Sequence, residues 1–128
     1  LEALLFHVEK KYKVDQQRVY LTGLSLGGYG TWSMAGRFPN YFAAIVPICG
    51  SGSPSAANRL KDIPTWVFHG AKDETVSISK SQSMVDALKA VDGNVKFTIY
   101  PEAGHDAWTE TYNNPKLYEW LLEQKRSN

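Results

Sequence analysis

Apolar and polar positions along the chain change period several times. Leu1, Leu4, Leu5, Val8 and Tyr12 recur at intervals of three and four, one face of an amphipathic helix, while Glu2, Glu9, Lys10 and Lys11 occupy other positions. Arg18-Val-Tyr-Leu-Thr22 is then a short β-rich run without strict alternation, which suits a strand covered on both faces. A glycine-rich stretch from Gly23 to Gly30 leads into a helix predicted from Gly28 to Arg37 and stopped by Pro39. Ala43 to Gly50 reads as a buried strand, with Pro47 favouring its end. Gly50 to Asn58 is a loop of small residues. Thr65 to His69 is a third strand. A helix is predicted from Ser79 to Val91, with Met84, Leu88 and Val91 on one side, and Asp92-Gly93-Asn94 turns the chain. Val95 to Tyr100 is a fourth strand closed by Pro101, and a last helix runs from Pro115, suited to a first turn, to Gln124.

Strands alternating with helices of this length predict an α/β fold: a three-layer αβα arrangement around a mostly parallel sheet of four strands. Such sheets place their sites beyond the carboxyl ends of the strands. Chemistry is therefore sought in the segments just after each strand.

Gly23-Leu24-Ser25-Leu26-Gly27 fits G-x-S-x-G between a strand and a helix. That context demands a turn so sharp that the nucleophile is backbone-strained, with small residues beside it to avoid clashes. The hydroxyl then lies at a helix N-terminus, where free amides and partial positive charge favour an oxyanion, and the Leu26 amide is the natural donor. A serine needs a base, and the base needs an orienting acid. His105 follows the fourth strand, after Gly104, and Asp73 follows the third. The order Ser25, Asp73, His105 is the one known for α/β-hydrolases.

These segments also carry a resemblance. Arg18 to Trp32, Phe68 to Val76 and Tyr100 to Trp108 resemble the nucleophile, acid and histidine loops of the α/β-hydrolase superfamily. They are most similar to its phospholipase/carboxylesterase, dienelactone-hydrolase-like and polyhydroxybutyrate-depolymerase-like esterases. The resemblance implies one truncated domain over residues 1–128, covering strands five to eight of the eight-stranded fold. It implies a serine carboxylesterase for short-chain esters, working through an acyl-enzyme without metal or cofactor. Other acyl hydrolysis on the same three residues (peptidase, lipase, thioesterase) stays open, as does a non-catalytic half-domain acting as an interaction module. The family's first four strands and their oxyanion donor have no counterpart in these residues. An open edge at the first strand then invites a symmetric homodimer or higher oligomer.

Composition narrows the alternatives. Of 128 residues, 43% are hydrophobic and 21% charged, an ordinary globular balance. A net charge of +1 without any basic stripe gives no support for nucleic acid as a partner. No apolar run approaches the roughly 18–20 residues of a membrane span. The single cysteine, Cys49, excludes an intrachain disulfide and is read as core. His69, at a strand end, is read as structural support, and Asp106 as a local cap. Tyr29 and Trp32 are read as packing, and Trp108 either as a wall of the substrate pocket or as core.

Overall fold

The structure, a computed structural model, describes residues 1–127. Its four strands are β1 (Tyr20–Leu24), β2 (Ala44–Ile48), β3 (Thr65–Gly70) and β4 (Val95–Tyr100). They form one sheet in the order β1-β2-β3-β4, every pair parallel. The helices are α1 (Glu2–Lys11), α2 (Leu26–Arg37), α3 (Ala57–Leu60), α4 (Ser79–Ala90), α5 (Trp108–Tyr112) and α6 (Pro115–Glu123). Parallel neighbours cannot be joined by a tight hairpin, so each strand needs a crossover, and these crossovers carry helices onto the faces. The expected αβα layering results.

The core sits on both sides of β2 and β3, whose residues are all buried. One cluster joins Trp32 and Ala35 of α2 with Ile45, Val67 and the Met84, Val85 and Leu88 side of α4. The other joins Val46, Ile48 and Phe68 with Ala107 and Leu117. Burying one such aliphatic or aromatic side chain contributes about 1.5–3 kcal/mol. These two central strands are the continuous apolar runs of a sheet covered on both faces.

Several elements differ from the sequence expectation. β1 runs from Tyr20 to Leu24 and is only partly buried because it is the outer strand of the described sheet, although Leu21 packs on one core cluster and Leu24 on the other. α2 begins at Leu26, two residues before Gly28, because the turn at Ser25 passes straight into helix. The segment from Gly50 to Asn58 is not all loop: Pro54–Ala56 form a 3₁₀ turn and α3 follows at once. α5 lies in a stretch the periodicity left unassigned, five residues being too short to show a period. α1 buries none of its residues: Leu4 and Phe6 are exposed, as are Leu1 and Tyr12 at its two ends, and Leu5 alone packs on the main core. α6 follows its sequence signals, with Asn114 accepting from the Lys116 amide at 3.0 Å and Pro115 in the first turn. Among the described residues no helix is long and apolar enough to cross a membrane.

Candidate active site

The first loop beyond the sheet is the turn from β1 into α2. Ser25 there has φ 52° and ψ −115°, a positive φ that a residue with a Cβ adopts only at a cost of about 1–3 kcal/mol. The neighbourhood over-determines it. The Ser25 amide donates to the Ile48 carbonyl at 2.9 Å, and the Ser25 carbonyl accepts from the Gly28 and Tyr29 amides at 2.9 and 3.1 Å. The turn closes so tightly that a Cβ on Gly23 would stand 2.2 Å from the Gly27 carbonyl oxygen. Only glycine fits at position 23. Leu26 opens α2, so its amide has no carbonyl one turn earlier to bond, while its side chain is 83% exposed.

The second loop follows β3. Asp73 turns back on itself: its Oδ1 accepts from the Thr75 and Val76 amides at 2.9 and 2.8 Å. Its Oδ2 lies 2.8 Å from Nδ1 of His105, in the loop after β4. His105 Nε2 in turn lies 2.9 Å from the Ser25 hydroxyl. Burial alone pushes the Asp73 carboxyl up. The hydrogen bonds from His105, Val76 and Thr75 outweigh it and hold the group below the usual carboxylate range. The structure thus brings Ser25, His105 and Asp73 into one hydrogen-bonded line from three separate strand ends. With Nδ1–H held by the carboxylate, Nε2 is the lone-pair nitrogen facing the serine. That is the arrangement a general base requires.

The acid and histidine loops are stitched together. The Ala71 amide donates to the Tyr100 carbonyl and the Lys72 amide to the Ala103 carbonyl, both at 2.9 Å. Gly70 lies where these loops touch. Trp108, at the start of α5, stands edge-to-face on His105 with centroids 5.4 Å apart, and it also packs on the second core cluster. Asp106 accepts from the Thr109 amide and hydroxyl at 3.0 and 2.9 Å, a local cap as expected. Trp32 is core, whereas Tyr29 is 39% exposed and lines a surface cleft beside Trp32 and Met84, so it is not the packing residue expected.

Two residues stand nearer the site than their sequence context indicated. His69 is fully buried, with Nε2 3.2 Å from Asp73 Oδ2. Cys49 is also fully buried, and its sulfur, a nitrogen of His105 and an oxygen of Asp73 lie within 4.8 Å of one another. The sequence around this cysteine offers no base, because strand-end neighbours far apart in the chain leave no local signal. Burial pushes the Cys49 thiol up to about 11, which keeps it protonated and uncharged. Both nitrogens of His105 already have partners. A cation here would have to displace all of these protons and bonds, so the donor set fits a metal poorly.

A parallel sheet with helices on both faces, a strained serine on a strand–helix turn, and an acid and a histidine on the next strand ends define the α/β-hydrolase fold. Within it, this chain belongs to the dienelactone hydrolase family, whose model matches residues 1–119. A thermostable esterase of known crystal structure is 41% identical to it with a TM-score of 0.93, the match covering 97% of this chain and 35% of that one. A bifunctional acetylxylan esterase/xylanase from Neocallimastix patriciarum is 27% identical over 82 residues, which is 64% of this chain and 12% of that protein. The Pyrococcus horikoshii acylaminoacyl peptidase shares the fold, with a TM-score of 0.79 and 16% identity over 98% of this chain and 27% of that one. The chain therefore spans about a third or less of the length of these proteins.

Proposed function

We propose that the chain hydrolyses short-chain carboxylic esters through an acyl-enzyme on Ser25. The observation that carries this reading is the unbroken hydrogen-bonded line from Ser25 through His105 to Asp73. His105 Nε2 takes the hydroxyl proton as Ser25 Oγ attacks the ester carbonyl. Asp73 holds the tautomer and stabilises the imidazolium. The Leu26 amide donates to the oxyanion. The imidazolium then gives its proton to the departing alkoxide, which leaves as the alcohol and the acyl group stays on Ser25. A water, deprotonated by His105, attacks the acyl-enzyme, releases the acid and restores Ser25. Trp108, on the edge of His105, forms one wall of the ester pocket. No step calls for a metal or cofactor.

The family and the esterase relative support ester chemistry. A binding module has no need of a strained serine aligned with a base and an acid, and that favours the catalytic reading over the interaction one. The test is turnover of a short-chain p-nitrophenyl ester by the 128-residue chain beside Ser25→Ala, with fluorophosphonate labelling of both. Turnover and labelling of the wild type alone are expected. A folded wild type with neither sinks the proposal.

A further inference from the structure

His69 is the last side chain of β3 before Gly70 and has no part in the steps above. Its ring is fully buried, yet every polar atom has a partner. Nδ1 lies 2.7 Å from the Ser81 hydroxyl of α4. Nε2 lies 2.7 Å from the Val76 carbonyl oxygen and 3.2 Å from Asp73 Oδ2. A carbonyl and an ionised carboxylate only accept, so Nε2 must carry a proton. That proton is donated to the Val76 carbonyl, with Asp73 Oδ2 close beside it. Val76 closes the circuit, because its own amide donates to Asp73 Oδ1 at 2.8 Å.

We propose that His69 is a positioning residue for Asp73: its Nε2–H, set by Ser81 and Val76, shares Oδ2 with His105 and limits how strongly Asp73 holds the His105 proton. The proposal rests on the Ser25–His105–Asp73 reading. With His69 in place, Oδ2 accepts from His105 and has the His69 Nε2–H 3.2 Å away, while Oδ1 accepts from two amides, so the carboxylate is held in one rotamer. Without it, His105 is the sole imidazole on Oδ2. The carboxylate then becomes the stronger acceptor, and His105 keeps its second proton to higher pH. A protonated His105 cannot accept from Ser25, so the acid limb of the rate profile moves upward.

Few other charges reach this circuit. The Cys49 thiol lies within 4.8 Å of Asp73 and His105 and stays neutral because burial pushes it up. Lys80, Asp86 and Lys89 of α4 are exposed, and Asp106 is exposed and engaged by Thr109. On β4 the registered neighbour of His69 is Ile99, which does not ionise.

The test compares pH profiles of kcat and KM for wild type, His69→Phe and His69→Gln, alongside nitrogen NMR of the imidazole rings without substrate. Gln keeps an N–H where Nε2 stood, whereas Phe removes it. For His69→Phe, kcat falls about tenfold with KM little changed, and the acid limb moves up by about half a pH unit, the scale of one ordinary hydrogen bond. His69→Gln keeps the wild-type limb. Equal limbs in all three, or a KM effect alone, overturn the proposal. The NMR decides it even where the Phe variant does not fold: in the wild type His69 carries its proton on Nε2, and an unprotonated Nε2 overturns the circuit. A folded wild type without turnover defeats the esterase reading instead, and leaves the NMR result to judge His69 by itself.

Discussion

Gly70→Ala is the sharpest test of how the site is held together. An ideal Cβ at position 70 would stand 2.2 Å from the Gly104 carbonyl oxygen and 2.5 Å from that of Ala103. Ordinary contact begins at 3.4 Å, so 3.4 minus 2.2 leaves about 1.2 Å that the two loops must open. Nothing flexible is available to yield, because both obstacles are main chain. The Ala103 carbonyl accepts from the Lys72 amide, one residue before Asp73, and Gly104 immediately precedes His105. Opening this seam therefore moves Asp73 and His105 apart, and their 2.8 Å bond cannot survive an added ångström. A misplacement of that size costs about 10²-fold in rate. Overpacking a tight contact costs about 1–3 kcal/mol in stability. The assay pairs kcat on a p-nitrophenyl ester with the urea unfolding midpoint. Gly30→Ala is the matched control, since a Cβ there meets nothing within 4 Å and lies inside α2. It keeps full turnover and gains about 0.5–1 kcal/mol from helix propensity. A Gly70→Ala variant with wild-type kcat and midpoint would refute the claim that the loop seam sets the Asp73–His105 distance.

Two further outcomes follow from the same geometry. Ser25→Gly loses turnover but relieves the positive φ at that turn, so its unfolding midpoint rises by the equivalent of about 1 kcal/mol; an unchanged or lower midpoint counts against strain at Ser25. Asp73→Asn leaves the turn in place but lets the histidine adopt the wrong tautomer, so kcat falls about 10⁴-fold. The pH dependence of stability tests the same carboxylate. Its hydrogen bonds hold it below its unfolded value near 3.8, so the stability it contributes is present above that pH and is lost as pH falls through the lower folded value. Acid unfolding of Asp73→Asn is accordingly less steep below about pH 4 than that of the wild type, and parallel curves would contradict the lowered carboxyl.

The strands with Gly or Pro at their ends are the most legible. β4 has the ends expected from Val95 and Pro101, and β3 extends the expected run by Gly70 alone, because apolar β-rich runs bounded by Gly and Pro carry their own punctuation. The strand ends at Ser25, Asp73 and His105 were found because parallel topology confines polar chemistry to one edge of the sheet. α3 and α5 were not legible: four and five residues complete hardly more than one turn, and packing on neighbours rather than periodicity fixes them. Cys49 is core and His69 is structural support, as their sequence context predicts, but their closeness to Asp73 is not legible in that context. Cys49, just past β2, reaches Asp73 only through the pairing of β2 with β3, whereas His69 reaches it through the turn that follows β3. The exposed apolar side of α1 shows the limit of periodicity, which names a face without naming what lies against it.

The strand order has a consequence in time as well as in space. Because β1, β2, β3 and β4 are neighbours in sequence order, a chain made from its N-terminus adds each strand to the one just before it. The serine is thus translated 80 residues before its base, and the acid 32 residues before it. A serine with no base beside it is a poor nucleophile. On the proposed mechanism the unfinished chain is therefore harmless to the esters around it, and reactivity switches on only when the last loop of the set leaves the ribosome.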